Sequence, residues 1–146
     1  MSRKFRYLGI VVMLTALASI VLGGVFLQQG FSKEAFLVGA MEQEKITASG
    51  VEGIVDSASK AQAAGDVVRE HRHGISPTYG DLLAGGRFDP TNPTQLSYAQ
   101  ALNLENYLYL AVASFGVFTV VKAIGAFMLV TGLGLGVTGY GLFSRT

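Results

Sequence analysis

The sequence predicts an all-α membrane protein: two transmembrane helices joined by an extracytoplasmic helical segment. Three observations carry that expectation. Half of the 146 residues are hydrophobic and only 14% are charged, whereas ordinary soluble domains carry about 25% charged residues. Almost all of the charge lies between Lys33 and Glu105, leaving long uncharged runs on either side. The first run contains 21 consecutive uncharged residues, Tyr7–Leu27, enough for a helix spanning roughly 30 Å of hydrocarbon. The same composition excludes intrinsic disorder, a disulfide scaffold (there is no Cys) and, at a net charge of +1, a basic nucleic-acid binder.

The first element, residues 7–27, has only Thr15 and Ser19 as polar side chains. A cleaved signal peptide is the competing reading, since Arg3, Lys4 and Arg6 precede the apolar run and Ala16-Leu17-Ala18 has the form of a cleavage site. The apolar stretch, however, continues for nine residues past Ala18, as an uncleaved anchor does. Residues 1–6 are then a basic tail. Ser32–Thr47 can continue this helix beyond the membrane, with Lys33 and Glu34 at the lipid boundary.

Between the spans, Val51–His73 reads as a second helix, rich in Ala and followed by Gly74 as a C-cap with Pro77 beyond it. A turn-rich stretch follows, with room for one helical turn near Asp81–Ala84. Asn92-Pro93 then supplies an N-cap with Pro at the first helical position, and Gln95 stands where a capping box takes Glu or Gln. From there a helix can run without a breaker into the last apolar block. The expected extracytoplasmic region is residues 28–122.

The last block, Tyr107–Phe143, has 37 residues with Lys122 as its only charge. Lysine at a bilayer centre costs about 2.5–3.5 kcal/mol, and less at an interface where it can snorkel. A second span over residues 123–143 puts Lys122 at that interface and leaves residues 144–146 as a tail. Two spans within the block fail on length, because Tyr107–Val121 has only 15 residues. Orientation follows from the flanking basic residues. Gln28–Asn106 holds all ten carboxylates against six basic side chains, so both termini are expected in the cytoplasm of a plasma-membrane protein.

Helical spacing singles out two groups of residues. Gly125, Gly132, Gly136 and Gly139 fall within about 60° of one another on a helical wheel. The first span has a matching stripe of Gly9, Ala16, Ser19 and Gly23. Small residues on one stripe let helices approach closely enough for van der Waals packing, the main attraction available in lipid. The two stripes can pack on each other, or one can receive a partner. Gly134 and Gly141 lie on the opposite face.

The second group is a pair of charges on apolar stripes. Arg72 continues the face of Ile54, Ala58, Ala61, Gly65 and Val68. Glu105 sits within the face of Tyr98, Ala101, Leu102, Leu108, Tyr109 and Val112. A carboxylate there must pair or be neutral, so Glu105 either reaches water or a backbone group, or forms an ion pair with Arg72.

Signals for chemistry are few. In Glu70-His71-Arg72-His73 the two His diverge by about 200° on a helix, a poor arrangement for one metal ion, and the dipole at a helix end suits them instead. Gly85-Gly86 lacks the Lys-Ser/Thr of a phosphate loop, and no nucleophile-elbow spacing occurs. Neither enzymatic activity nor a cofactor is expected.

The run Ala40–Thr47 (AMEQEKIT), with Ala61–Ile75 (AQAAGDVVREHRHGI) and Thr78-Tyr79, resembles a group of two-span bacterial membrane proteins from actinobacteria and their relatives. That group shares an N-terminal span, an outer helical segment with a Gln-x-x-Ile-Thr-like start, a Tyr-Ile-x-x-His-Leu-like helix end and a C-terminal span. This chain has Arg-Glu-His-Arg-His at the helix end instead. The resemblance implies the architecture and carries no activity. Together these readings lead to the expectation of a non-catalytic accessory, assembly or scaffold protein of the bacterial envelope. Its partners would be membrane lipids and other membrane subunits or a second copy. The alternative is an envelope sensor or a module that binds a lipid or small apolar ligand.

Overall fold

A computed structural model describes residues 3–46 and 53–144. Among them the fold is entirely helical: α1 (Arg3–Gln43), α2 (Ala58–Ile75), α3 (Tyr79–Leu83) and α4 (Pro93–Ser144). The chain divides into two compact units, one of residues 1–34 and 117–146 and the other of residues 35–116. Both α1 and α4 are long and apolar enough to cross a membrane, and only 11% of each apolar window is buried.

In the first unit, α1 and α4 run antiparallel along a seam of small residues. A Cβ placed on Gly9 would lie 2.9 Å from the Gly139 carbonyl oxygen. One on Gly132 would lie 3.0 Å from the Ala16 carbonyl oxygen, and those on Gly23 and Gly125 would each lie 2.8 Å from the other residue's carbonyl oxygen. Each step of seven along α1 (Gly9, Ala16, Gly23) is thus matched by a step of seven back along α4 (Gly139, Gly132, Gly125). A seven-residue repeat keeps one seam facing its partner if the helices supercoil slightly to the left. Ser19 Oγ locks the register by donating to the Met128 carbonyl at 2.8 Å.

At the next position the match changes: the carbon stem of Lys122 lies over Gly30, where a Cβ would come within 2.6 Å of Lys122 Cγ. The ammonium donates to Glu34 Oε2 at 2.6 Å and sits 5.0 Å from the centre of the Phe31 ring. Lys122 is therefore paired with a carboxylate of the facing helix.

Gly136 does not belong to the close seam. A Cβ there would meet the Ala16 Cβ at 3.8 Å, an ordinary contact, because it stands four residues from Gly132 and has turned off the seven-residue line. Around Gly134 and Gly141 there is open space.

The second unit has a conventional core of Met41, Val55, Ala61, Ala64, Tyr98, Leu108, Ala111 and Phe115. Several sequence expectations are corrected here. Residues 54–57 are not helical and Ile54 is exposed; α2 begins only after Ser57. The expected helix start at Val51 lies outside the described residues, as does Arg145. Helix α1 stops at Gln43, short of the expected Thr47, because the backbone turns at Lys45 (φ 50°) and the Ile46 amide donates back to the Met41 carbonyl. Gly74 is not the C-cap. The helix continues to Ile75 and stops at Ser76, whose extended backbone (φ −155°) is the conformation that Pro77 imposes on the residue before it.

The short turn is α3, capped by Thr78, whose Oγ1 accepts from the Asp81 amide at 3.1 Å. Asn92 caps α4 as expected, its Oδ1 accepting from the Thr94 and Gln95 amides at 3.0 and 3.3 Å. Gln95 does not close a capping box. Its Oε1 accepts from the Asp89 amide at 2.7 Å and fastens the preceding turn instead. Helix α4 shows no break at Ala123, and α1 none at Leu27.

The seam makes a sharp mutational contrast. Gly125→Leu and Gly23→Leu drive a side chain into facing backbone and should lower the thermal midpoint in detergent, with a cost of about 1–3 kcal/mol or more. Gly136→Ala should be neutral or stabilising by up to about 1 kcal/mol through helix propensity. Equal melting of all three variants would show that α1 and α4 do not approach along this line.

Candidate functional site

The best-defined polar constellation is built where α2 crosses α4 in the second unit. Position 72 is one turn from the end of α2, and positions 98 and 105 are two turns apart on α4, so all three point into the same gap. Arg72 and Glu105 are buried, with side chains 10% and 8% exposed.

Arg72 Nε donates to Glu105 Oε2 at 2.6 Å and Nη2 donates to Oε1 at 3.3 Å. Nη1 donates to the Tyr98 hydroxyl, and the guanidinium carbon lies 5.0 Å from the Tyr98 ring centre. On the remaining side, Nη2 lies 3.2 Å from His73 Nε2. Tyr79 of α3 packs against Tyr98 with ring centroids 6.1 Å apart. The hydrogen bond to Glu105 outweighs desolvation and raises the Arg72 pKa above its ordinary value.

Of the two alternatives for Glu105, the structure thus has the ion pair. Tyr98 is a third member that the sequence analysis placed on the apolar face without a polar role. Its signal was present in the spacing, since a buried Tyr needs a partner for its hydroxyl and Tyr98 lies seven residues before Glu105.

A second link lies two turns earlier on α2. Tyr109 Oη donates to Asp66 Oδ1 at 2.8 Å, its ring fills the space beside Gly65, and Arg69 pairs with Asp66 at 3.0 Å. The Tyr109 and Gln62 hydrogen bonds hold the Asp66 carboxyl below the usual carboxylate range. Gly65 and Ala61 on the shared face of α2 are buried, as expected.

Chemically, the arrangement is a clamp. The donors of Arg72 are directed at Glu105, Tyr98 and His73, and the pair fixes α2 against α4. His71 and His73 are exposed, and no group of three metal-ligating side chains occurs among the described residues.

The second unit also has two clefts. An apolar one of about 270 Å³ is lined by Leu37, Met41, Ile46, Leu104 and Leu110 among others. A more open one of about 510 Å³ is lined by Tyr79, Phe88, Leu96, Leu102, Gln100 and Asn103 among others. The remaining sequence-selected residues, Gly125, Gly132, Gly139, Ser19 and Gly23, meet one another in the α1–α4 seam, whereas Gly136 stands aside from it. Comparison with protein families, with curated proteins and with solved structures finds no match.

Removing one partner of a buried ion pair costs about 3–5 kcal/mol, because the other charge is left uncompensated. Glu105→Leu should therefore destabilise the protein strongly, and Arg72→Met in the same chain should restore part of the loss. A double-mutant cycle of thermal melts measures the coupling, and additive losses would mean that the two residues act independently. Asp66 gives a pH signature. Its folded pKa is depressed, so its contribution is present above the ordinary value of 3.8 and is lost as pH falls through and below it. Asp66→Asn should flatten that acid limb of the melting curve while leaving the neutral-pH slope unchanged.

Proposed function

We propose that the protein is a two-span component of the bacterial plasma membrane, with both termini in the cytoplasm and residues 28–122 outside. It serves without catalysis as an accessory, assembly or scaffold subunit of a larger envelope complex. One observation carries this reading: the small-residue seam is used up inside the chain, and large apolar side chains are left facing outward. Val11, Leu14 and Leu17 of α1 and Phe127, Val130, Leu133 and Val137 of α4 are each more than half exposed. Such a surface calls for lipid or for the helices of other subunits. The open face at Gly134 and Gly141 allows close approach by a second helix.

The non-catalytic part of the reading is supported by how polar groups are used in the second unit. Arg72 with Glu105, Asp66 with Tyr109 and Arg69, and Lys60 with Asp56 all join or brace helices. The second reading, a module for a small apolar ligand, is favoured by the cleft at Leu37, Met41 and Leu104. At about 270 Å³ it falls just below the roughly 300–1,000 Å³ of typical ligand sites, which ranks that reading second.

The chain has no Cys, so single cysteines report topology without background. An impermeant maleimide should label Ser59→Cys in intact cells and leave Ser2→Cys and Ser144→Cys unlabelled. Labelling of 144 without 2 would overturn the two-span reading. Extraction in mild detergent followed by native mass spectrometry should find the chain with larger subunits. A solitary chain carrying a small apolar mass would favour the ligand module.

A further inference from the structure

We propose that the end of the α1–α4 pair holding Arg6 and Phe143 is a binding site for an anionic phospholipid. This rests on the membrane reading above and adds a specific ligand to it.

A cavity of about 450 Å³ is lined by Arg6, Tyr7, Ile10 and Phe143. It exists because the seam fixes the helix ends: a Cβ on Gly9 would lie 3.0 Å from the Phe143 amide nitrogen. The two backbones therefore touch there. The Arg6 guanidinium carbon lies over the Phe143 ring, 5.1 Å from its centre, so the cation sits directly on an aromatic and aliphatic floor.

Charge defines the occupant. Residues 1–33 and 106–146 contain no Asp or Glu, yet Arg3, Lys4, Arg6 and Arg145 all lie within them. Glu34 is the one acidic side chain in this unit, and it is taken by Lys122. Among the described residues no carboxylate pairs with Arg6.

A ligand that satisfies both the floor and the cation needs an anionic head joined to a hydrocarbon chain. A phospholipid phosphate can accept two parallel hydrogen bonds from the guanidinium. Its acyl chain would continue over Ile10 and along the exposed apolar side chains of the pair. Basic pockets between membrane helices on the cytoplasmic side recognise anionic headgroups by this combination, and the aromatic rings of Tyr7 and Phe143 suit the interfacial layer. The volume is within the range of ordinary ligand sites.

The test uses the full chain in nanodiscs of equimolar phosphatidylcholine and phosphatidylglycerol, with retained lipid read by native mass spectrometry. The parent should retain phosphatidylglycerol over phosphatidylcholine roughly fivefold, the ratio expected of one cationic contact at the membrane surface. Arg6→Gln should abolish the preference, and Arg6→Lys, which keeps the charge but loses the guanidinium fork, should keep only part of it. Lys4→Gln, on the same helix but outside the cavity, should leave it intact. Phe143→Ala should lower retention of both lipids.

Equal retention by the parent overturns the proposal. So does a Lys4→Gln effect as large as that of Arg6→Gln, which would mean diffuse attraction to the surface without a site. Flotation of the same nanodiscs separates the two levels of argument. A chain that floats with lipid but shows no headgroup preference removes the lipid site alone. One that stays in the lipid-free fraction removes the membrane reading and the site with it.

Discussion

The first unit depends on how closely two helix backbones can approach. Under the membrane reading proposed above, helices that are apolar on nearly every face gain no hydrophobic free energy from meeting, because lipid is as apolar as they are. What remains is van der Waals contact, and its strength falls steeply with distance. Gly125, Gly132 and Gly139 of α4, seven residues apart and facing Gly23, Ala16 and Gly9 of α1, remove the side chains that would hold the backbones apart.

That seam also sets the register, and other features of the unit follow from it. It brings the Lys122 stem onto Gly30 and the ammonium to Glu34, so the one charge in the last apolar block is neutralised by the facing helix. It brings Ser19 to the Met128 carbonyl. At the other end it brings Phe143 beside Gly9 and Arg6. A one-residue slip would turn the glycines away from the contact and break all of these arrangements together.

The second unit is built on different physics. Its core is small, and α2, with Ala at positions 58, 61, 63 and 64, offers few large side chains to bury. Apolar contact of that kind specifies angle and register weakly. The buried Arg72–Glu105 pair supplies direction, because a planar guanidinium meets a carboxylate in few orientations. Tyr98 fills the third side of the guanidinium, and Tyr109 with Asp66 repeats the device two turns away. A pair of this kind adds little net stability relative to apolar packing, but an alternative packing that separates its members is strongly disfavoured.

Much of this was legible in the sequence by itself. Helix type and approximate number follow from local pattern: uncharged runs of membrane length, Asn92-Pro93 before a long helix, and the absence of strand alternation. The glycine stripe is also a local property, since spacing on one helix defines a face. Charge on an apolar face marked Arg72 and Glu105 individually, because burial of a charge demands a partner wherever that partner lies.

Only the tertiary structure decided which faces meet. Gly136 lies on the same wheel sector as Gly132 but falls off the seam, because the contact line follows seven residues and not four. Lys122 and Glu34 are 88 positions apart, and nothing within either segment names the other. Helix ends moved for a related reason: Gln95 found a better donor in the Asp89 amide than in its own cap, and Pro77 rather than Gly74 ended α2. Sequence pattern determines what each segment presents. The match between two distant segments depends on interatomic distances that exist only once both have folded.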